Sequence, residues 1–315
     1  MLFSTVAAQR GFTNHAIIAS AKAAVEGLTV SLAAEFAPNI RVNCVAPSLT
    51  KSKIAEPMLK NTAIAEGIAK AKLNKKNLDF KNIFQAEPPI ESGYHFGSRL
   101  AIKDNYLFAS AGERGGGMIA QDPTNHPGSI IRIYLDGSIP KDNPKFEGKS
   151  NWLPEIYQIG VRNPQGLTYS SFDGKIYASN HGAKGGDWFG EVKKGENYGW
   201  KILGWGGTNY SGSKIGPKWK PGFTKAIQYW VPSIAASAIT IYKGKEFSEW
   251  NGEALITSLK DKSMRKLNFK NSSKIEETII FKDKIGRIRD IQVHPNNGKI
   301  YFLAGDNLWL MEKTF

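Results

Sequence analysis

The chain has 315 residues, a mean hydropathy of −0.34 and a formal net charge of +14. Its only cysteine, Cys44, excludes a disulfide within the chain and a zinc site built from several cysteines. The lysines are scattered through turns such as KKGEN and LKDKSMRK, and no basic helix, zinc finger or RNP-like motif accompanies them. Composition therefore favours a globular protein with a solvated, lysine-rich surface over a nucleic-acid-binding protein. The positive charge would also suit an anionic small ligand.

Export and membrane signals are weak in the sequence. We find no apolar run that approaches the roughly 20 residues needed to span a bilayer. The first residues, MLFSTVAAQRG, have no basic leader before their apolar stretch, so they make a poor signal peptide. Expressed as written, the chain is expected in the cytoplasm and without a membrane span.

Residues 1–76 have the pattern of an α/β fragment. The alanine-rich stretch NHAIIASAKAAVEGLTVSLAAEF places apolar residues at helical spacing, which predicts one helix over residues 12–37. The following IRVNCVAP predicts a short buried strand that a proline ends. A helix followed by a strand is the repeating unit of a Rossmann-type sheet.

Residues 77–315 have a period of two, with turns every eight to fifteen residues. A strand–turn–strand motif begins at Leu100, Leu167 and Ile291, and a longer version begins at Ile239. A β-meander that repeats in this way predicts a β-propeller with one blade per repeat. A β-sandwich is the alternative, although it would not repeat its sequence motif. The whole chain is therefore predicted to be mainly β, with an N-terminal α/β fragment.

The stretch IGVRNPQGLTYS, residues 159–170, interrupts an apolar run with a charged donor, an amide, a proline and a glycine. Proline cannot donate to a sheet ladder, so the stretch predicts a sharp break that turns Arg162 and Asn163 toward something. From these residues alone, a turn with Arg162 in a surface ion pair is favoured over a binding site.

Three further cationic residues lie where the sequence predicts the end of a strand or one face of a strand. Lys260 is predicted at the end of a buried strand, where a lone lysine is costly without an anion. Arg287 and Arg289 are two residues apart and therefore on one strand face, where they repel each other unless an anion lies between them. An exposed basic edge strand is the alternative for all three. His95 lies between two aromatic residues, and by itself it reads as a structural histidine.

The N-terminal segment resembles the C-terminal half of short-chain dehydrogenases over about residues 1–72, through FSTVAAQRG, ASAKAAVEGL and IRVNCVAPSLT. That family uses a tyrosine four residues before a lysine. Lys22 is present, but Ile18 stands at the tyrosine position, and an aliphatic side chain cannot exchange a proton. The glycine-rich nucleotide loop is missing as well. We therefore interpret Ser4 and Lys22 as structural rather than catalytic.

The rest of the chain, from about residue 77, resembles the soluble quinoprotein sugar dehydrogenases, the glucose/sorbosone and aldose dehydrogenase propellers. The resemblance rests on separated motifs in the family's order: YHFGSRL, DGSIPKDNP, GVRNPQGL, NHGAKGGD, GENYGW, NYSG, SLKDK and GRIRD. It implies a six-bladed propeller that oxidises the anomeric hydroxyl of an aldose to a lactone. It further implies pyrroloquinoline quinone and calcium as cofactors, an electron acceptor of unknown identity, and a periplasmic location.

The resemblance also implies a role for each matching residue. His95 corresponds to the catalytic base, and Arg162 lies beside it at the mouth of the channel. The residues implied to hold the quinone are Arg162, Asn163, His181, Lys260, Arg287 and Arg289. The main-chain carbonyls of Gly182 and Ala183 would bind calcium, which accepts such oxygens.

The sequence departs from that family in one respect that leaves alternatives open. Residues 77–315 hold material for roughly four to four and a half blades instead of six, and a fused reading frame is one hypothesis for the origin of the chain. A non-catalytic propeller that binds a carbohydrate or a protein partner is the first alternative. A nicotinamide-dependent short-chain dehydrogenase is the second, and Ile18 argues against it.

Overall fold

The computed structural model describes residues 2–4, 8, 16–37, 42–45, 81–145, 151–270 and 274–314. The chain divides into two compact units, residues 1–81 and 82–315. The sequence pattern puts the boundary at residues 76 and 77.

The N-terminal unit contains one helix and two short parallel strands among its described residues. The helix α1 spans Ala16–Phe36, so the helix predicted over residues 12–37 is confirmed for this part. The strands β1 (Leu2–Phe3) and β2 (Cys44–Val45) pair in parallel. Ser4, which follows β1, is buried and donates its hydroxyl to Glu26 Oε1 at 2.5 Å. A serine that ties a strand to a helix has a structural role, and the resemblance to short-chain dehydrogenases stays a prediction.

Helix α1 corrects one expectation drawn from the sequence. Its residues Ile17–Phe36 have a mean hydropathy of 1.4 and are long and apolar enough to cross a bilayer. The prediction that no apolar run approaches this length is therefore wrong. One such helix near an N-terminus has the properties of a signal sequence as much as those of a membrane span, so a cytoplasmic location is not supported.

Among its described residues, the second unit contains fifteen strands in four antiparallel sheets, which follow one another along the chain. The first sheet consists of β3 (Gly97–Lys103), β4 (Tyr106–Ala111), β5 (Ser129–Tyr134) and β6 (Ile156–Ile159). The second consists of β7 (Pro164–Ser170), β8 (Lys175–Asn180), β9 (Asp187–Glu191) and β10 (Gln228–Trp230). The third consists of β11 (Ala236–Ile241), β12 (Ala254–Ser258), β13 (Ser263–Asn268) and β14 (Glu276–Lys282). The fourth has three strands, β15 (Ile288–Val293), β16 (Ile300–Ala304) and β17 (Asn307–Met311). Short 3-10 helices lie at Gly117–Gln121 and Ser248–Trp250.

Each sheet is a simple meander, and the first strands of the sheets adjoin. Strand β7 packs against β3 on one side and β11 on the other, and β11 packs against β15. The first strand also meets the last of this set, because Arg99 of β3 reaches Asp290 of β15 at 3.4 Å. The predicted β-meander repeats are confirmed. Four sheets around adjoining first strands exclude the two-layer sandwich for the described residues.

Apolar side chains fill the spaces between neighbouring sheets and form three core clusters. The cluster between the first two sheets contains Ile130 and Trp188, and the stacked pair of Trp188 and Tyr198 has ring centroids 3.8 Å apart. Ile256 belongs to the cluster between the second and third sheets, and Phe302 to the one between the third and fourth. Strands covered on both faces read as nearly continuous apolar runs, which explains sequences such as ALITS in β12.

The first and fourth sheets, at the two ends of this series, leave apolar residues exposed. Leu308 of β17 is 73% exposed, and Leu100 and Ile102 of β3 are 63% and 57% exposed. The fourth sheet also has one strand fewer than the other three. Exposed apolar residues at these positions are surfaces on which another segment of protein can pack.

The core between the second and third sheets generates a stability prediction. We expect Ile256→Ala, at a fully buried position in β12, to lower the free energy of unfolding by about 2–5 kcal/mol, because it leaves a cavity. Urea denaturation measures the change. Ile279→Ala, in the same sheet but 48% exposed, is the control and should cost less than about 1 kcal/mol. Equal losses in the two variants would contradict the core assignment.

Candidate active site

The candidate residues come from loops at one end of the sheets. His95 lies just before β3, Arg162 and Asn163 lie just before β7, and Arg287 lies just before β15. His181 directly follows β8, whose end pairs with the beginning of β7. Since successive strands are antiparallel, the beginnings of odd strands and the ends of even strands in a meander meet at the same edge. Residues far apart in the sequence therefore reach one surface.

The break at RNPQG is a feature of backbone geometry. Strand β7 begins at Pro164, and a proline is tolerated at the first residue of a strand. The amides of Arg162 and Asn163 both donate to Asn180 Oδ1, at 3.0 and 2.9 Å, so the chain turns around this one acceptor. A side chain on Gly166 would collide with Ile239 and Ser179, which explains the glycine. The residues before Pro164 are thus held on the loop end of the sheet.

The guanidinium of Arg162 is buried and has no carboxylate partner among the described residues. It is 5% exposed and donates Nη1 to the carbonyls of His181, at 3.1 Å, and Gly182, at 2.5 Å. Its Cζ lies 5.2 Å from the ring centroid of Trp200, and its Nε has no hydrogen-bond partner. The alternative of a surface ion pair is wrong. Burial lowers the pKa of Arg162, although arginine remains protonated at any ordinary pH.

Asn163 joins two loops of the site. Its Oδ1 accepts hydrogen bonds from the Gly97 amide at 3.2 Å and from Gln165 Nε2 at 2.8 Å. The side-chain nitrogen of Asn163 donates to no described residue, so it can donate to a ligand.

His95 is paired with a buried carboxylate that the sequence reading missed. His95 Nδ1 lies 2.5 Å from Glu113 Oε1, and the other carboxylate oxygen accepts the Gly117 amide at 2.5 Å. Burial opposes ionisation of Glu113, but the hydrogen bonds from His95 and Gly117 outweigh it and lower the pKa of Glu113. The one signal in the sequence is an acidic residue in the glycine-rich stretch AGERGGG after a strand. That pattern is too general to assign a role.

His181 brings the remaining residues into one electrostatic neighbourhood. Burial lowers its pKa, the carboxylate of Asp187 opposes this, and the charges of Arg162, His95 and Arg287 lower it further. The charges of His95, Arg162 and Arg287 therefore each lie close enough to His181 to interact with it.

The side chain of Asp187 holds the loop after β8 in place. Its fully buried carboxylate accepts hydrogen bonds from the amides of Gly182 at 2.8 Å and Ala236 at 3.0 Å, and from the Ser233 hydroxyl at 2.9 Å. The carbonyl of Gly182 is directed to Arg162, whereas that of Ala183 accepts no hydrogen bond from a described residue. The part of the chain that the structure describes has no cluster of three His, Cys, Asp or Glu side chains able to hold a metal.

Lys260 is exposed, which corrects the prediction of a buried lysine. Strand β12 ends at Ser258, and the amide of Lys260 donates to the Ile234 carbonyl at 3.1 Å while its side chain reaches solvent. Arg287 and Arg289 are also exposed, on either side of the buried Ile288. Within the described ranges none of these three cations forms an ion pair.

The chain is similar to known proteins over most of its length. Residues 25–308 match the family model described as glucose/sorbosone dehydrogenase. The chain belongs to this family. The match begins well before residue 77, at which the sequence motifs begin. The relatives below are named as sugar dehydrogenases, and this likeness identifies the chain as an enzyme.

Two relatives and one solved structure illustrate the likeness. The chain is 34% identical over 285 residues to the aldose sugar dehydrogenase YliI of Escherichia coli, with 89% of this chain and 74% of that protein covered. It is 28% identical over 239 residues to quinoprotein glucose dehydrogenase B of Acinetobacter calcoaceticus, with 58% and 49% covered. The apo crystal structure of the soluble aldose sugar dehydrogenase of Escherichia coli superposes with a TM-score of 0.69 and 34% identity, covering 75% of this chain and 69% of that one.

In this glucose/sorbosone dehydrogenase family member, a charged network supports the loop that carries Lys260. Asp261 accepts hydrogen bonds from Lys282 at 2.6 Å, from Ser263 at 2.9 Å and from Arg265. Burial opposes ionisation of Asp261, but these donors outweigh it and lower its pKa to about 2. Arg265 also pairs with Glu277, so the network ties the β12–β13 turn to β14.

The network predicts how stability depends on pH. Because the folded pKa of Asp261 is below its unfolded value of 3.8, its contribution is present above pH 3.8 and is lost as the pH falls to about 2. We expect Asp261→Asn to lower the free energy of unfolding at pH 7 by about 2 kcal/mol and to flatten its dependence between these pH values. Urea denaturation at several pH values measures both. Asp283→Asn, at an exposed carboxylate, is the control, and an unchanged acid limb in Asp261→Asn would disprove the assignment.

Proposed function

We propose that the chain is an aldose dehydrogenase that uses pyrroloquinoline quinone and oxidises the anomeric hydroxyl of a sugar to a lactone, with hydride transfer to the quinone. Family membership supports the class of enzyme. The observation that carries the proposal is the pairing of His95 with a buried carboxylate beside Arg162, a buried arginine without an anionic partner in the described ranges. A base and a buried guanidinium that forms no ion pair suit oxidation of a hydroxyl group by an anionic cofactor.

The cationic residues fit the chemistry of this cofactor. Pyrroloquinoline quinone is flat and carries several carboxylates, so planar, permanently charged donors suit it. Arg162 has an unused Nε, and Trp200 has a buried, unused Nε1 beside it. Asn163, His181, Lys260, Arg287 and Arg289 would complete the binding surface. When bound, the quinone supplies the electrophilic carbon that accepts hydride.

His95 acts as the general base in this proposal. Because Nδ1 is engaged by Glu113, the free ring nitrogen, Nε2, is the atom that can take the proton of the anomeric hydroxyl. The carboxylate of Glu113 fixes the orientation of the ring and stabilises the imidazolium that forms. Burial of Glu113 strengthens this interaction because little water screens it.

Calcium fits the described residues less well than the quinone does. Calcium requires six to eight oxygen ligands, whereas the Gly182 carbonyl already accepts a hydrogen bond from the Arg162 guanidinium. The carbonyl of Ala183 remains available. Calcium at Gly182 and Ala183 is therefore a separate proposal, and the roles given above to His95 and Arg162 do not depend on it.

A non-catalytic propeller is the second candidate, and a specific observation favours it. The described residues provide four sheets, the last with three strands, where the resemblance implies six blades. We infer an incomplete propeller over residues 77–315 that follows an α/β fragment over residues 1–76. Such a partial ring could bind a carbohydrate or protein partner without binding the quinone. A nicotinamide-dependent enzyme is disfavoured because Ile18, an aliphatic residue, stands at the position of the catalytic tyrosine, and because the hydroxyl of Ser4 is engaged by Glu26.

One experiment separates these candidates. Purified protein is titrated with pyrroloquinoline quinone, with and without calcium, and glucose-dependent reduction of a redox dye is then measured. The dye replaces the electron acceptor, which the chain does not identify. Saturable binding with sugar-dependent turnover supports the enzyme, and a requirement for calcium supports the metal. Absence of saturable binding would favour the partner-binding alternative. A periplasmic location is proposed with the enzyme and is tested by fractionation of the native host.

If His95 is the general base, replacing it should lower turnover without weakening binding of the cofactor. We expect His95→Gln to lower kcat by about 10²–10⁴-fold, the usual range for losing acid–base catalysis, while the quinone still binds. Glu113→Gln should also lower kcat, because the amide cannot stabilise the imidazolium. Dye reduction at saturating sugar gives kcat, and quinone titration gives affinity. His294→Gln, in a turn after β15, is the matched control and should keep full turnover.

The two kinds of cation predict different losses of quinone affinity. Arg162→Ala removes a buried partner of the anionic ligand, so binding should weaken by about 2–5 kcal/mol. Lys260→Ala removes an exposed charge, and its effect should stay below about 1 kcal/mol. Arg162→Lys, which keeps the charge but loses the planar fork, should lie between wild type and Arg162→Ala. Equal effects of Arg162→Ala and Lys260→Ala would contradict the binding mode.

A further inference from the structure

The loop that carries His95 has few attachments of its own. Residues 88–94 begin with two prolines, which have no amide hydrogen to donate. A cavity of about 480 Å³ lies between this segment and the first sheet, lined by Pro88, Ile90 and Phe96 on one side and Ala109 and Ile131 on the other. The segment therefore crosses a hollow instead of packing directly on the sheet.

Arg114 spans this hollow with its guanidinium. Nη1 donates to the Tyr94 carbonyl at 2.6 Å, and Nη2 donates to the carbonyls of Ser92 and, at 3.5 Å, of Ile90. Its Cζ also lies 3.6 Å from the ring centroid of Phe96. Within the described residues, these are the only hydrogen bonds that connect the backbone of residues 88–94 to another segment of the chain.

Arg114 belongs to the same turn as the carboxylate that holds His95. Gly112 lies against the His95 carbonyl, and a side chain at Gly112 would collide with it. Glu113 holds the imidazole, and Arg114 holds the backbone that leads to it. Three consecutive residues thus contact the segment of His95: Gly112 contacts its carbonyl, Glu113 holds its ring, and Arg114 holds the backbone that precedes it.

His95 and Arg114 both have a strained backbone, which has to be held in place by neighbouring contacts. His95 has a φ of +50° and Arg114 a φ of +56°, in the left-handed region that side chains other than glycine rarely adopt. Residues in this region remain there only when their surroundings hold them, and they concentrate at functional sites. Without its contacts, the segment would have little reason to keep His95 in this conformation.

We propose that Arg114 is the positioning residue of the active-site base: it ties residues 90–94 to the turn that carries Glu113, and so keeps His95 Nδ1 on the carboxylate and Nε2 directed to substrate. The catalytic part of this inference rests on the proposed function. The structural part, that Arg114 orders the segment, does not. Loss of Arg114 should release the segment while leaving Arg162 and the quinone surface intact.

Hydrogen exchange on the cofactor-free protein tests the structural part. Arg114→Asn is the main variant, because asparagine tolerates the left-handed backbone and cannot span the hollow. We expect the amides of Gly97, which donates to Asn163 Oδ1, and of Gly112, which donates to the Phe96 carbonyl, to exchange at least about 10-fold faster than in wild type, since local opening of the His95 segment becomes easier, while strands β4 and β5 are unchanged. Arg132→Lys is the matched control: Arg132 also donates to two side chains, Asn143 and Asp142, and lies against Tyr106, but it serves a different part of the first sheet.

Kinetics of the reconstituted enzyme test the catalytic part. Arg114→Asn should lower kcat by about 10²-fold, the cost of misplacing a catalytic group by roughly 1 Å, with KM and quinone affinity within a factor of about three. Arg114→Lys should recover part of the loss, because one ammonium can reach one or two of the three carbonyls. Arg132→Lys should leave kcat unchanged.

The outcomes are distinguishable. Unchanged exchange in Arg114→Asn and Arg114→Lys would overturn the inference whether or not the wild type is active. Faster exchange with unchanged kcat in an active enzyme would overturn the positioning role. Faster exchange in a protein whose wild type binds no quinone would support the ordering of the segment by Arg114 and count against the proposed function alone. Should Arg114→Asn fail to fold, Arg114→Lys carries both measurements.

Discussion

The guanidinium of Arg162 is buried with no carboxylate of the described residues to neutralise it, and much of the surrounding structure follows from this. A buried charge requires strong hydrogen bonds, which the carbonyls of His181 and Gly182 provide. Asp187 accepts the amide of Gly182 and so fixes the peptide plane that contains the His181 carbonyl. The positive charge of Arg162, which forms no ion pair with a described residue, favours an anionic ligand over a neutral one at this surface.

The surroundings of His95 are built in a different way from those of Arg162. Arg162 is held by Asn180 and by the carbonyls of the loop after β8, whereas His95 lies on a segment that crosses a hollow and is tied to the turn of Glu113 and Arg114. Gly112 allows close contact with the His95 carbonyl, Glu113 orients the His95 ring, and Arg114 holds the backbone before His95. Catalytic groups on loops depend on such local attachments, because a loop has no ladder of hydrogen bonds to fix it.

The sheets provide the scaffold that brings these loops together, and they also mark its boundary. Each sheet buries its faces against its neighbours, so the core continues from the first sheet to the fourth. At the ends of the series, Leu100 of β3 and Leu308 of β17 remain exposed. The salt bridge from Arg99 to Asp290 connects the two end sheets across their first strands.

The sequence by itself determined the class of fold and most of the candidate residues. Period-two repeats specify antiparallel meanders because side chains alternate across a strand, and ordered motifs such as GVRNPQGL and GRIRD identified the family. The N-terminal helix follows from the sequence as well, but its apolar run was not expected to reach the length that spans a bilayer, because Lys22 and Glu26 interrupt it. Only the tertiary structure decided burial and pairing. It put Lys260 in solvent and Arg162 in the interior, and it brought Glu113 to His95 and Arg114 to the carbonyls of residues 90–94. These contacts join segments 18 or more residues apart, as between His95 and Glu113, and no local pattern specifies which side chains meet across such a separation.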